Sequence, residues 1–190
     1  MVIGGIAVIA RGVRRMTTDI DAVVRGDAIE LRELLPLLAT HRIAPRIDDA
    51  IPFAQANHVL LLRHQPSKVE LDLSFGWTLF EHEALAARTI AAYGRVEVPM
   101  ATPEDLVIMK AMAARPVDLT DAVDLLIMYP AVRIDRARRK LDELAEAAGE
   151  PLISAGLDQI LKLVPRFERE SVVRPVGKKP IRRRTAPKPR

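Results

Sequence analysis

The chain has 190 residues, 49% of them hydrophobic and only 4% aromatic, which is ample for one aliphatic core and a small appendage. It has no cysteine, which excludes disulfides and thiolate metal sites and suits the cytoplasm. The net charge of +4 misleads: eight of the 29 Lys and Arg residues crowd into "RPVGKKPIRRRTAPKPR" (174–190), and the remaining 21 face 25 acids. No stretch approaches the roughly 18 apolar residues of a spanning helix. The opening "MVIGGIAVIARG" lacks the basic start and cleavage site of a signal peptide.

In chain order, "VIGGIAVIA" (2–10) reads as a buried strand interrupted by a glycine pair, Gly4 and Gly5, as where a backbone bends or is closely approached. "TDIDAVV" (18–24) reads as a second strand. "DAIELRELLPLLATH" (27–41) has helical spacing at Ile29, Leu31, Leu34, Leu35 and Leu38, and Pro36 is expected to kink that helix or end its first part. "DDAIPFAQAN" (48–57) reads as a short helix or a loop. "HVLLLRH" and "KVELDLSF" flank "QPS" and predict a hairpin. "TLFEHEALAA" is a short helix, and "TIAAYGRVEVP" a strand, a turn at Gly94 and a second short strand.

From there the pattern turns helical. "TPEDLVIMKAMAA" starts with Thr102 as N-cap, Pro103 at the first position and two acids in the first turn. "VDLTDAVDLLIM" follows, then the charge-laced "RIDRARRKLDELAEAAG" ending at Gly149, then a weaker helix over "PLISAGLDQILKLV". The pattern gives an α/β (α+β) fold, a small mixed β-sheet with flanking helices and a helical C-terminal region. We divide it into an α/β core over 1–100, a helical region packed on it over 101–170, and a basic, Pro-rich disordered tail over 171–190.

The chemistry centres on "RRMTTDIDAVV" (14–24). Strand alternation puts Asp19, Asp21 and Val23 on one face and Ile20, Ala22 and Val24 on the other. Two carboxylates on one face repel each other and call for solvent, a base or a cation. They suit Mg2+, which takes few protein oxygens and completes its shell with phosphate and water. Asp72 shares a face with Glu70 in "VELDLSF", and beside the first acidic strand it would complete a two-metal phosphoryl-transfer site. Gly4 and Gly5 would let the backbone approach a phosphate chain.

The order "GGIAVIARGVRRMTTDIDAVV … VELDLSF … VPMATPEDLVIMKAMAARPVDLTDAVDLL" resembles the nucleotidyltransferase superfamily of DNA polymerase beta, and within it the small bacterial proteins related to AbiEii-type toxins of toxin–antitoxin systems. The resemblance spans about residues 2–126. It implies a nucleotidyltransferase fold in which Asp19, Asp21 and Asp72 bind Mg2+ (Mn2+ as a substitute), and Asp72 helps deprotonate the acceptor hydroxyl. Gly4 and Gly5 match the nucleotide-binding turn, Arg15 and Thr18 the triphosphate contacts, and Lys110 the helix lysine that reaches the phosphates. Arg115, Asp118 and Asp121 match the end of the block. The implied partners are an NTP, a hydroxyl-bearing acceptor (tRNA, protein or small molecule) and an antitoxin. Relatives carry a helix ahead of the glycine pair and often a hydroxyl after it. Here Met1 opens almost directly on the pair, and Ile6 follows it.

The residues alone allow plainer readings. Lys110 reads as a lysine snorkelling out of a buried helix. Asp118 and Asp121 read as acids complementing a helix N-terminus, and Arg115 as a cap on the preceding helix. Asp72 is equally an ordinary hairpin acid. His41, His58, His64 and His82 lack zinc-like spacing. Trp77 and Phe80 read as core or interface. The alternatives to an enzyme are a catalytically inactive binding protein of the same fold and an RNA-binding module. The module would use the tail's eight cations for weak, salt-sensitive phosphate contacts.

Overall fold

A computed structural model describes residues 1–26 and 30–164. The basic tail and the start of the 27–41 helical pattern lie outside the described residues.

Among the described residues, seven strands form one mixed sheet in the order β3-β4-β5-β2-β1-β7-β6. These are β1 (Val2–Ile3), β2 (Asp19–Arg25), β3 (Ile43–Pro45), β4 (Val59–His64), β5 (Glu70–Gly76), β6 (Thr89–Tyr93) and β7 (Val96–Met100). The two hairpins fall where turn chemistry placed them: β4 pairs antiparallel with β5, and β6 with β7. At the centre, β2 runs parallel to β5 and antiparallel to β1. Eight helices complete the described chain. They are α1 (Gly4–Ala10), α2 (Leu31–Thr40), α3 (Ala50–Asn57), α4 (Leu79–Ala87), α5 (Pro103–Ala113), α6 (Pro116–Met128), α7 (Ile134–Ala148) and α8 (Leu152–Leu163).

The first element departs from the sequence expectation. The strand expected over 2–10 stops after Ile3, and Gly4 opens α1. Gly4 takes φ +60°, a left-handed conformation that ends an extended run and that glycine adopts without a Cβ clash. The apolar residues that follow wind so that Ala7 and Val8 are buried. A short apolar run carries no period that separates strand from helix. Pro36 does not end α2, which continues through it to Thr40 with Pro36 on an exposed position. Phe80 is in the core, whereas Trp77 is 67% exposed and stacks on His58 with ring centroids 5.3 Å apart.

Two apolar clusters sandwich the sheet. On one side Ala22, Val24, Leu71, Leu73 and Phe75 of β2 and β5 meet Leu60 and Leu62 of β4 and residues of α2 and α3. The larger cluster joins α1, α4 and β7 to α5–α8. Its centre is α5, where Leu106, Val107, Ile108 and Ala111 are fully buried. Thr102 caps α5 as expected, its Oγ1 accepting from the Asp105 amide at 3.1 Å. The last helix is more deeply seated than its sequence suggests, with Leu157 and Ile160 at zero exposure. Gly156 explains the close fit, since a Cβ there would lie 1.9 Å from the Ala111 carbonyl oxygen. No helix among the described residues is long and apolar enough to cross a membrane.

Gly156→Ala is therefore expected to force α8 away from α5. Urea unfolding should show a loss of about 1–3 kcal/mol, the usual cost of overpacking a core contact.

Candidate active site

The register of β2 against β5 builds the site. Asp21 stands directly across from Asp72, and Asp19 across from Glu70. Parallel strands lie about 4.8 Å apart and in-register side chains point to the same face. The exposed face thus carries four carboxylates in two adjacent rungs, with the apolar cluster behind them. The three acids singled out in the sequence are brought together.

The glycine pair also reaches the site, as the junction between β1 and α1. A Cβ on Gly4 would fall 1.9 Å from Asp21 Oδ2, so the missing side chain is what leaves room for that carboxylate. A Cβ on Gly5 would meet Thr17 Oγ1 at 2.6 Å and the Arg15 guanidinium carbon at 3.2 Å. Thr17, which the sequence reading passed over in favour of Thr18, donates its hydroxyl to Asp19 Oδ1 at 2.6 Å.

Beside the acids lies a pocket of about 340 Å3, lined by Gly5, Arg15, Thr18, Asp19, Asp21, Lys110 and Arg115 among others. Its cationic wall is a connected network. Lys110 does not snorkel outward: it is 6% exposed, and its ammonium donates to Asp118 Oδ1 at 2.7 Å and lies 2.9 Å from Asp121 Oδ2. A buried helix surrounded by other helices offers no short route to water, so the amine needs carboxylates. Arg15 also donates to Asp121 Oδ2, and the Arg115 Nε donates to Asp118 Oδ2. Asp118 and Asp121 are accordingly buried anchors of three cations and not solvated first-turn acids. The Arg115 side chain remains 70% exposed. It makes its ion pair with Asp118 on the next helix, where the sequence suggested a cap on the preceding one.

The charges behave as this geometry requires. Burial, then the neighbouring Asp19 and Asp72, push the Asp21 pKa above the ordinary 3.8, against the pull of Lys110 and Arg115. Burial also opposes ionisation of Asp118, but hydrogen bonds from Arg115 and Lys110 outweigh it and hold its pKa below 3.8.

The donor chemistry suits a hard divalent cation. The oxygens are carboxylates, and Asp21 sits in a cradle that a Gly4 Cβ would fill. Among the described residues, no three Asp, Glu or His side chains close on a common point that would hold an ion. Asp19 and Asp21, on one strand face beside the pocket, are the pair that fits.

An α/β sheet with paired acids on a central strand, a third acid on the parallel neighbour and a cationic pocket alongside is consistent with a nucleotidyltransferase-like fold. The family model described as nucleotidyl transferase AbiEii toxin, type IV TA system, matches residues 2–183, and the chain belongs to this family of nucleotidyltransferases. A comparison with curated proteins returns no match.

Two measurements check the electrostatics. Lys110→Met leaves two buried acids with only their arginines and should cost about 3 kcal/mol in chemical unfolding, the low end for breaking a buried pair. Asp118 has a depressed pKa, so its stabilisation is complete above 3.8 and is lost as pH falls through its folded value. Asp118→Asn should flatten that acid limb. Asp21 has the opposite sign: its ionised form opposes folding above its raised value, and the strain is relieved as pH falls. Asp21→Asn should therefore raise the Tm at pH 7 in the presence of EDTA.

Proposed function

We propose that the protein is a Mg2+-dependent toxin that moves a nucleotidyl group from an NTP to a hydroxyl on a tRNA, protein or small-molecule acceptor and is restrained by an antitoxin. The observation that carries this reading is the pairing of Asp21 with Asp72 across two parallel strands, next to a pocket walled by Arg15, Lys110 and Arg115.

The roles follow from position. Asp19 and Asp21 would hold Mg2+, which would neutralise phosphate charge and lower the pKa of the attacking hydroxyl. Arg115, the most exposed of the three cations, takes the triphosphate directly, and Arg15 adds its charge from the pocket wall. Thr18 lines the same pocket and offers a hydroxyl. Lys110, fixed between Asp118 and Asp121, sets the potential of that wall and holds it rigid. The Gly4–Gly5 junction gives Asp21, Thr17 and Arg15 room to stand together, and Gly5 lines the pocket that would take the nucleotide. The acceptor oxygen attacks the α-phosphorus, its proton passes to Asp72 Oδ2, and the bond to the pyrophosphate leaving group breaks.

The test uses NTPs labelled at either the α- or the γ-phosphate, with Mg2+, total tRNA and cell extract. The α-label should enter the acceptor while the γ-label leaves as pyrophosphate. Asp19→Asn, Asp21→Asn and Asp72→Asn should each reduce transfer by at least about 100-fold. Transfer of the γ-label, or transfer that survives Asp21→Asn, defeats the reading.

A further inference from the structure

The acidic face of β5 is met by two arginines that the mechanism above does not use, and one of them, Arg46, reaches Asp72. Arg46 follows β3 and bridges both acids of that strand: Nη1 to Glu70 Oε2 at 2.5 Å and Nη2 to Asp72 Oδ1 at 2.8 Å. Its backbone is pinned beside them, since the Arg46 amide donates to the Leu61 carbonyl at 3.0 Å and Leu61 pairs with Asp72 across the sheet. Glu70 is held in turn by Arg63, whose Nη2 donates to Oε1 at 2.5 Å.

The two contacts of Arg46 differ in kind. The one to Glu70 is an aligned hydrogen bond. The one to Asp72 is ionic only, because Asp72 Oδ1 is shut from solvent and has no aligned donor. A guanidinium is a planar fork, and here Glu70 sets its orientation. Arg46 thus presents charge to Asp72 while its directional bonding is spent elsewhere.

We propose that Arg46 is a positioning residue that serves as the built-in counter-ion of Asp72, held in place by Glu70. Asp72 Oδ1 is thereby closed to metal, Asp19 and Asp21 alone bind the cation, and Asp72 Oδ2 is kept free for the acceptor proton. The proposal rests on the cation reading of the site given above.

Mn2+ binding to the full chain, followed by the loss of the free-ion EPR signal, tests it without any turnover. Wild type should bind one Mn2+. Asp21→Asn should weaken binding at least tenfold, and Asp72→Asn should leave it within about twofold. Arg46→Gln should add a second equivalent, and Glu70→Gln, which releases Arg46 without removing it, should move binding in the same direction. Arg46→Lys keeps a charge beside Asp72 and should hold the count at one. Two ions on wild type, or a tenfold loss in Asp72→Asn, overturns the proposal while leaving the cation reading intact. No Mn2+ on wild type overturns both.

Discussion

The in-register parallel pairing of β2 with β5 is the constraint on which the rest depends. A slip of one residue would turn every side chain of a strand to the opposite face. The apolar set Ala22, Val24, Leu71, Leu73 and Phe75 therefore fixes the register by packing toward α2 and α3. Once that face is buried, Asp19, Asp21, Glu70 and Asp72 have no choice but to share the other. Their repulsion is imposed by hydrophobic burial on the far side of the same two strands.

The molecule answers that repulsion unequally. Along the β5 rung, Arg46 and Arg63 supply fixed counter-charges. Along the β2 rung, Asp19 receives a neutral hydroxyl from Thr17, and Asp21 has no ion pair of its own among the described residues. Lys110 and Arg115 act on Asp21 only at a distance, because their contacts go to Asp118 and Asp121. Those buried pairs do more to fix geometry than to add stability, since desolvation offsets most of their attraction. They tie α5, α6 and the segment before β2 into one wall, so the cations facing the pocket hold their places before any ligand arrives.

What was legible in the sequence was local. Alternation in "TDIDAVV" and "VELDLSF" gave the acid faces, "QPS" and Gly94 gave the hairpins, and Thr102-Pro103 gave the start of α5. The α1 helix was not legible, because a nine-residue apolar stretch with a glycine pair has no decisive period. For Lys110 the residues alone favour an outward path, because sequence shows the apolar helix around it but not the helices that close over it. Arg46 gave no signal at all: it lies 24 residues from Glu70, just past a three-residue strand, and only the sheet order brings them together.

The distribution of strain separates this cluster from the other ion pairs. Elsewhere the buried and half-buried acids of the helical region are paired: Asp105 is bound by Thr102 and Arg136, and Glu104 by Arg133 and Arg136. Beside β2 the local rules are broken twice. Asp21 ionises against burial and its acidic neighbours, and Asp72 Oδ1 is buried with an ionic contact to Arg46 but no hydrogen bond. Each departure costs stability, and a fold selected only for stability would disperse them. Their concentration on one patch, beside a pocket with a prearranged cationic wall, sets this face apart from the rest of the described residues.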